Sequence, residues 1–318
     1  MSEIKNRYLD VNGIRMHITE AGEGPLVLLL HGYPETSYSW RHQLGALAEA
    51  GYHAVAPDQR GYGTTEHPPS VEDYTIHHLV GDAVGLITAL GAPNAVVGGH
   101  DWGSPVAWGV AQCRPDLVRG VVSLSVPFAP RAESEPLATV RAAFGDNFYQ
   151  LYFQEPGVAE REFEGDTANV FRRMLYWYSG DTPAVQNLIC DENGMTGSLA
   201  LPEELPAWLS EEDIAAYVDA FAAEGFTGAL NWYRNITRNW ELTTPWAGAR
   251  ITVPAMFLGG DRDPVVNWFP LDALKPAMAP AVTNLASFGL IEGAGHWIQQ
   301  ERPDETNAAL IAFAKSVD

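Results

Sequence analysis

The sequence predicts an α/β protein, with a mostly parallel sheet flanked by helices and interrupted by a helical insertion. Three observations carry this. Short, nearly all-apolar runs alternate with amphipathic helical ones, the pattern of strands buried on both faces. The strand signal vanishes between about residues 130 and 246, where the period is helical, and then resumes. The 318 residues, 46% hydrophobic and 19% charged, suffice for one large domain or two smaller ones of ordinary globular composition.

The elements follow in order. "RYLDVNGIRMHITE", residues 7–20, reads as two strands about the Asn12-Gly13 turn, a strong hairpin signal. "LVLLL" leads through a loop to the helix "SWRHQLGALAEA". "HAVAP" leads through "DQRGYG" to the helix "HHLVGDAVGLITAL". "NAVVGG" ends in a corner before the helix "SPVAWGVA", and "VRGVVSLSV" follows. The insertion contains "AFGDNFYQLYF", "NVFRRMLYWYS", "EEDIAAYVDAFAAEG" and "ALNWYRNITRNW", helical in period, rich in aromatic residues and broken by Gly and Pro. Strands return at "ITVPAMFLGG" and "TNLASFGLIEG", and "DETNAALIAFAKS" closes the chain as a helix. The expected organisation is a core of residues 1–130 and 247–318 with a cap of residues 131–246. Ligands of open parallel sheets bind outside the strands' carboxyl ends, so the cap would roof the site.

Composition excludes several classes. A net charge of −21 offers no basic face for nucleic acid. The N-terminus is polar, and "PLVLLL" is too short to span a bilayer, so no membrane insertion is expected and a cytoplasmic location is. Cys113 and Cys190 make neither a disulfide framework nor a metal cluster. In a cytoplasmic chain Asn235-Ile236-Thr237 is a chance match to the glycosylation pattern. No G-x-G-x-x-G, G-x-x-x-x-G-K-[ST] or H-E-x-x-H motif is present.

The chemistry concentrates in "VVGGHDWGSPVAWGVA", residues 96–111. Strand-to-helix corners of the form G-x-S-x-G carry the serine of many hydrolases on a strained turn. Here Asp101 occupies that place, between Gly99 and Gly103. Read alone, Asp101 could also cap the following helix.

Six motifs, "HGYPETSYSW", "GGHDWG", "NFYQLYFQEPGVAE", "GALNWYRNITRNW", "GGDRDPVV" and "EGAGHW", occur in family order. On them the chain resembles, over almost its full length, an α/β-hydrolase-fold epoxide hydrolase, similar to the hydrolase domain of the soluble type. The resemblance implies that Asp101 is a nucleophile. A carboxylate is already ionised at pH 7 and displaces at saturated carbon without a base, leaving an enzyme ester. His296, in the loop after the last strand, would activate the water that hydrolyses this ester, and Asp263 would orient the imidazole. Asp261 competes for that role by position. The family pattern favours Asp263 and leaves Asp261 as a turn residue. The backbone N–H groups of Tyr33 and Trp102 would form the oxyanion hole.

Epoxide opening creates an alkoxide, which needs a proton donor. The family pattern places two tyrosines in the cap for this, and the matches are Tyr149 and Tyr233. Tyr152, Tyr176, Tyr178 and Tyr217 read as packing residues whose hydroxyls find local partners. Trp40 reads as core, and Trp102 also as pocket wall.

The resemblance implies a small-molecule epoxide, leaning towards apolar substituents, with water as co-substrate and no cofactor or metal. A homodimer is compatible with the sequence. The nearest rival is a dehalogenase of the same fold, which commonly has Asn at the position of Tyr33 and needs no cap tyrosine pair. A serine esterase is disfavoured because Ser104 lies three residues from the corner. A binding protein on this scaffold would have no need of triad and tyrosines together.

Overall fold

The computed structural model describes residues 3–183, 188–268 and 270–318. Eight strands form one sheet in the order β1-β2-β4-β3-β5-β6-β7-β8. They are β1 Ile4–Val11, β2 Ile14–Ala21, β3 Leu26–Leu30, β4 His53–Pro57, β5 Ala95–His100, β6 Val118–Leu124, β7 Ala255–Gly260 and β8 Leu285–Ile291. The hairpin turns as its sequence demands, with Asn12 at φ +49° and Gly13 at +82°. β2 joins β4 antiparallel, and every pairing from β4 to β8 is parallel.

The strands β3, β5 and β7 are buried along their whole length. Alternate side chains of β3 enter opposite cores, as the period of two requires. Val27 and Leu29 pack with Leu44 of α1 (Arg41–Glu49) and Phe313 of α14 (Pro303–Ser316). Leu28 and Leu30 pack with Leu86 of α2 (Ile76–Ala89) and Val106 of α3 (Gly103–Cys113). Trp40 lies in the first of these cores, fully buried, as its sequence reading expects.

Between β6 and β7 the chain is helical: α4 Pro136–Phe144, α5 Tyr149–Tyr152, α6 Val158–Gly165, α7 Thr167–Trp177, α8 Gly194–Gly197, α9 Glu211–Phe221, α10 Thr227–Arg234 and α11 Ile236–Leu242. Apart from α4, their apolar faces join the α2–α3 core. Two elements differ from the sequence reading. β7 begins at Ala255, after Pro254, because proline has no N–H to give a ladder; Ile251 makes only an isolated bridge to Val282. A helix α12, Leu271–Met278, precedes β8, and its internal Pro276 hid it from the periodicity. A short helix α13, Ile298–Glu301, follows the last loop.

Parallel pairing sets the carboxyl ends of the central strands side by side: Leu30 faces Gly99, His100 faces Leu124, and Leu124 faces Leu258. The residues just beyond them form the site.

Candidate active site

Asp101 leaves β5 at φ +48°, a left-handed conformation that costs a non-glycine residue about 1–2 kcal/mol. The glycines at either side permit the corner. A Cβ at Gly99 would lie 2.0 Å from the Gly103 carbonyl oxygen, and one at Gly103 would lie 2.1 Å from that of Leu30. Gly103→Ala is therefore expected to destabilise the protein by about 1–3 kcal/mol, read as a fall in Tm; an unchanged melt would contradict this packing.

The loop after β3 meets the corner from the side. Gly32 allows the approach, since a Cβ there would stand 2.3 Å from the Asp101 Cβ. The Tyr33 N–H donates to Asp101 Oδ1 at 2.8 Å. Trp102 lies where α3 begins, and among the described residues its N–H makes no bond to the carboxylate.

His296 presents Nε2 at 3.6 Å from Asp101 Oδ2 and Nδ1 at 3.1 Å from Asp263 Oδ1. Asp261 is turned elsewhere, its Oδ1 accepting from the Gly293 N–H at 2.8 Å. Of the two candidate acids, Asp263 is the one beside the imidazole. Burial works against charge on Asp101, but the bond and charge of His296, with His100 and the Tyr33 N–H, hold its pKa below the ordinary carboxylate value. Burial likewise opposes the imidazolium, and the charge of Asp263 with the bond to Asp101 outweighs it, raising the His296 pKa well above 6.5.

Tyr149 and Tyr233 both border the cavity that contains Asp101 and His296, with ring centroids 5.8 Å apart. Tyr149 sits at the first turn of α5, its N–H held by the Leu188 carbonyl at 2.9 Å. The Tyr233 ring is wedged edge-on against Tyr33 at 5.3 Å, Trp102 at 5.2 Å and Phe153 at 5.0 Å. Burial, reinforced by the Asp101 charge, raises both phenol pKa values, so both hydroxyls keep their protons.

Two cavities meet at Asp101, Tyr149 and Val265. The inner one, about 40 Å³, lies beside His296, Met174 and Met195. The outer one, about 400 Å³ and more open, is walled by Trp102, Ile236, Val265 and Trp268.

The sequence reading of the other tyrosines needs one correction. Tyr152 and Tyr217 do find partners, in Glu162 at 2.6 Å and Gln300 at 2.9 Å. Tyr178 does not: its ring lines the inner cavity and its buried hydroxyl has no partner among the described residues. Ser125 also stands beside the imidazole, its Oγ 3.0 Å from His296 Nδ1. Ser125 follows β6 at φ +73°, and no motif marks it. Met174 and Met195 of the inner wall were equally silent, because helical apolar residues facing a cavity and facing a core share one period; Leu188 lies outside any helix or strand, where no period marks it. Among the described residues no group of three or more His, Cys, Asp or Glu is arranged to hold a metal ion.

The family model for the alpha/beta hydrolase fold matches residues 25–303. Epoxide hydrolase A of Mycobacterium tuberculosis is 46% identical, over 98% of this chain and 98% of that protein. Bifunctional epoxide hydrolase 2 of Rattus norvegicus is 37% identical, over 99% of this chain and 56% of the rat protein. A solved epoxide hydrolase from an endophytic Streptomyces superposes with a TM-score of 0.94 at 42% identity, covering 99% of this chain and 96% of that one. With an acidic strand-to-helix corner facing a His–Asp pair and with these relatives along nearly its full length, the chain belongs to the epoxide hydrolases of the α/β-hydrolase fold.

Proposed function

We propose that the chain converts an epoxide and water to a vicinal diol through an ester on Asp101. The observation that carries this is one cavity lined by Asp101, by the His296 imidazole 3.6 Å from it, and by the phenols of Tyr149 and Tyr233. Asp101 Oδ1 is occupied by the Tyr33 N–H, so Oδ2 attacks the epoxide carbon. The carbon–oxygen bond breaks, and Tyr149 and Tyr233 meet the departing alkoxide, one giving it a proton. Water, deprotonated by His296 Nε2, then attacks Cγ of Asp101. Negative charge collects on Oδ1, where the N–H of Tyr33 stabilises it, with that of Trp102 assigned as the second donor. Collapse breaks the bond to the diol oxygen, which takes the proton of the added hydroxyl, and leaves the carboxylate beside the imidazolium; the phenolate left by ring opening has by then recovered a proton from His296. Asp263 orients the imidazole and balances its charge.

Residues 131–246 act as the cap that supplies both phenols. The outer cavity's walls of Trp102, Ile236 and Trp268 support a substrate with apolar substituents. No helix among the described residues is long and apolar enough to cross a membrane. Cys113 and Cys190 are both unbridged, which supports a reducing compartment such as the cytoplasm. The test is an aryl epoxide assayed for diol alongside a haloalkane panel assayed for halide. Diol formation supports the reading; halide without diol overturns the role of the tyrosines.

The phenols share one task. Tyr149→Phe and Tyr233→Phe should each slow ring opening, and the double variant should lose about 10²–10⁴-fold, far more than either alone. Normal single-turnover ester formation in the double variant would remove their role.

A pH effect follows from the charges around His296. In the free enzyme two carboxylates hold its proton. Esterification removes the charge of Asp101, so the pKa of His296 falls and a neutral base is released. Ester hydrolysis should therefore rise with pH along a limb lying below the His296 pKa of the free enzyme. NMR titration of His296 and single-turnover hydrolysis give the two values, and coincidence would contradict the charge argument.

A further inference from the structure

We propose that Glu301 is the positioning residue of the His296 base, locking the loop that carries it to the cap. This rests on the reading of His296 as the base of ester hydrolysis.

Glu301 ends α13 and is only 5% exposed. No Lys or Arg side chain pairs with its carboxylate among the described residues; backbone N–H groups surround it instead. Oε1 accepts from Trp297 at 2.9 Å, and Oε2 accepts from Gly295 at 2.9 Å. Those two residues flank His296. The N–H of His296 itself donates to the Tyr178 carbonyl at 2.8 Å. Three successive N–H groups around the base are thus held, two by one side chain.

The same Oε2 accepts from Gly180 at 2.8 Å, so one carboxylate joins the base loop to the stretch just after α7. The two backbones touch there. A Cβ at Gly295 would lie 2.3 Å from the Ser179 carbonyl carbon, and one at Gly180 would lie 2.0 Å from the Gly293 carbonyl oxygen. The loop of the acid is tied to the same stretch: Arg262, next to Asp263, donates to the carbonyls of Gly180 at 2.5 Å and Thr182 at 2.6 Å. Residues 178–182 therefore fix both loops of the His296–Asp263 pair. With Nε2 already 3.6 Å from Asp101 Oδ2, a small shift of the base loop changes whether the imidazole can hold a water against the ester.

Both oxygens accept from N–H groups, which suits a carboxylate and opposes the rise in pKa that burial imposes. Gln at position 301 would keep the size but turn an NH₂ towards N–H donors. A merely structural Glu301 would, on substitution, weaken both half-reactions together. A positioning Glu301 weakens only the one that uses His296, because ring opening draws on Asp101 and the tyrosines.

The experiment is single-turnover mixing of Glu301→Gln with a turned-over aryl epoxide, following the ester by quench and mass spectrometry. His296→Gln and Glu301→Asp are run in parallel. The expected result is ring opening within about twofold of the parent, hydrolysis slower by about tenfold or more, and accumulated ester. Parallel loss of both steps, or unchanged hydrolysis, overturns the proposal. If Glu301→Gln does not fold, the same two rates measured in Glu301→Asp decide by the same criteria. Ester trapped in His296→Gln but not in the Glu301 variants removes this inference alone. No ester even in His296→Gln removes the reading of the base beneath it.

Discussion

Asp101→Ala is expected to abolish diol formation, with a loss of roughly 10⁴-fold or more, while the protein stays folded. The size follows from covalent catalysis. On the proposed mechanism no ester forms without the carboxylate, and His296, Tyr149 and Tyr233 are left with no enzyme nucleophile to serve. The fold should tolerate the change because Asp101 serves chemistry at the expense of stability. Alanine removes a partly buried carboxylate, and the φ of +48° that it must keep costs only about 1–2 kcal/mol. His296 keeps Asp263 and Ser125 as partners, so the imidazole is not stranded. Diol production and thermal melting measured on one preparation decide the point. Retained turnover would show that another nucleophile opens the ring; lost turnover with lost folding would move the test to the milder Asp101→Asn.

His296→Gln is expected to separate the two half-reactions. Ring opening needs an ionised Asp101 and the phenols, so the ester should form. Hydrolysis needs a base for water, and its loss should slow that step by about 10²–10⁴-fold. The enzyme then stalls as an adduct, visible as a mass increase equal to the substrate. Glutamine removes the partner that lowers the Asp101 pKa most, while His100 and the Tyr33 N–H on Oδ1 still lower it. Exposure to a turned-over epoxide followed by intact-mass measurement checks this. An unmodified variant would mean that His296 acts before the ester or that no ester forms.

Much of this was legible in the chain itself. The apolar runs at 26–30, 95–100 and 255–260 announced buried parallel strands, and Asn12-Gly13 announced a hairpin, because side-chain period and turn geometry are local properties. The corner at Asp101 was equally readable, since only glycine survives at 99 and 103 where backbone oxygens crowd within about 2 Å. Motifs pointed to Asp263, His296, Tyr149 and Tyr233 as candidates, each near the end of an element whose identity is local in the sequence. Tertiary structure alone decided the rest. It set Asp263 rather than Asp261 beside the imidazole, placed Ser125 there too, turned Tyr178 from a packing residue into cavity wall, and brought Glu301 around the backbone of the His296 loop. These depend on which way a side chain points after strands and helices far apart in sequence have packed together. That direction is set by long-range burial and hydrogen bonding, which no local pattern of residues encodes.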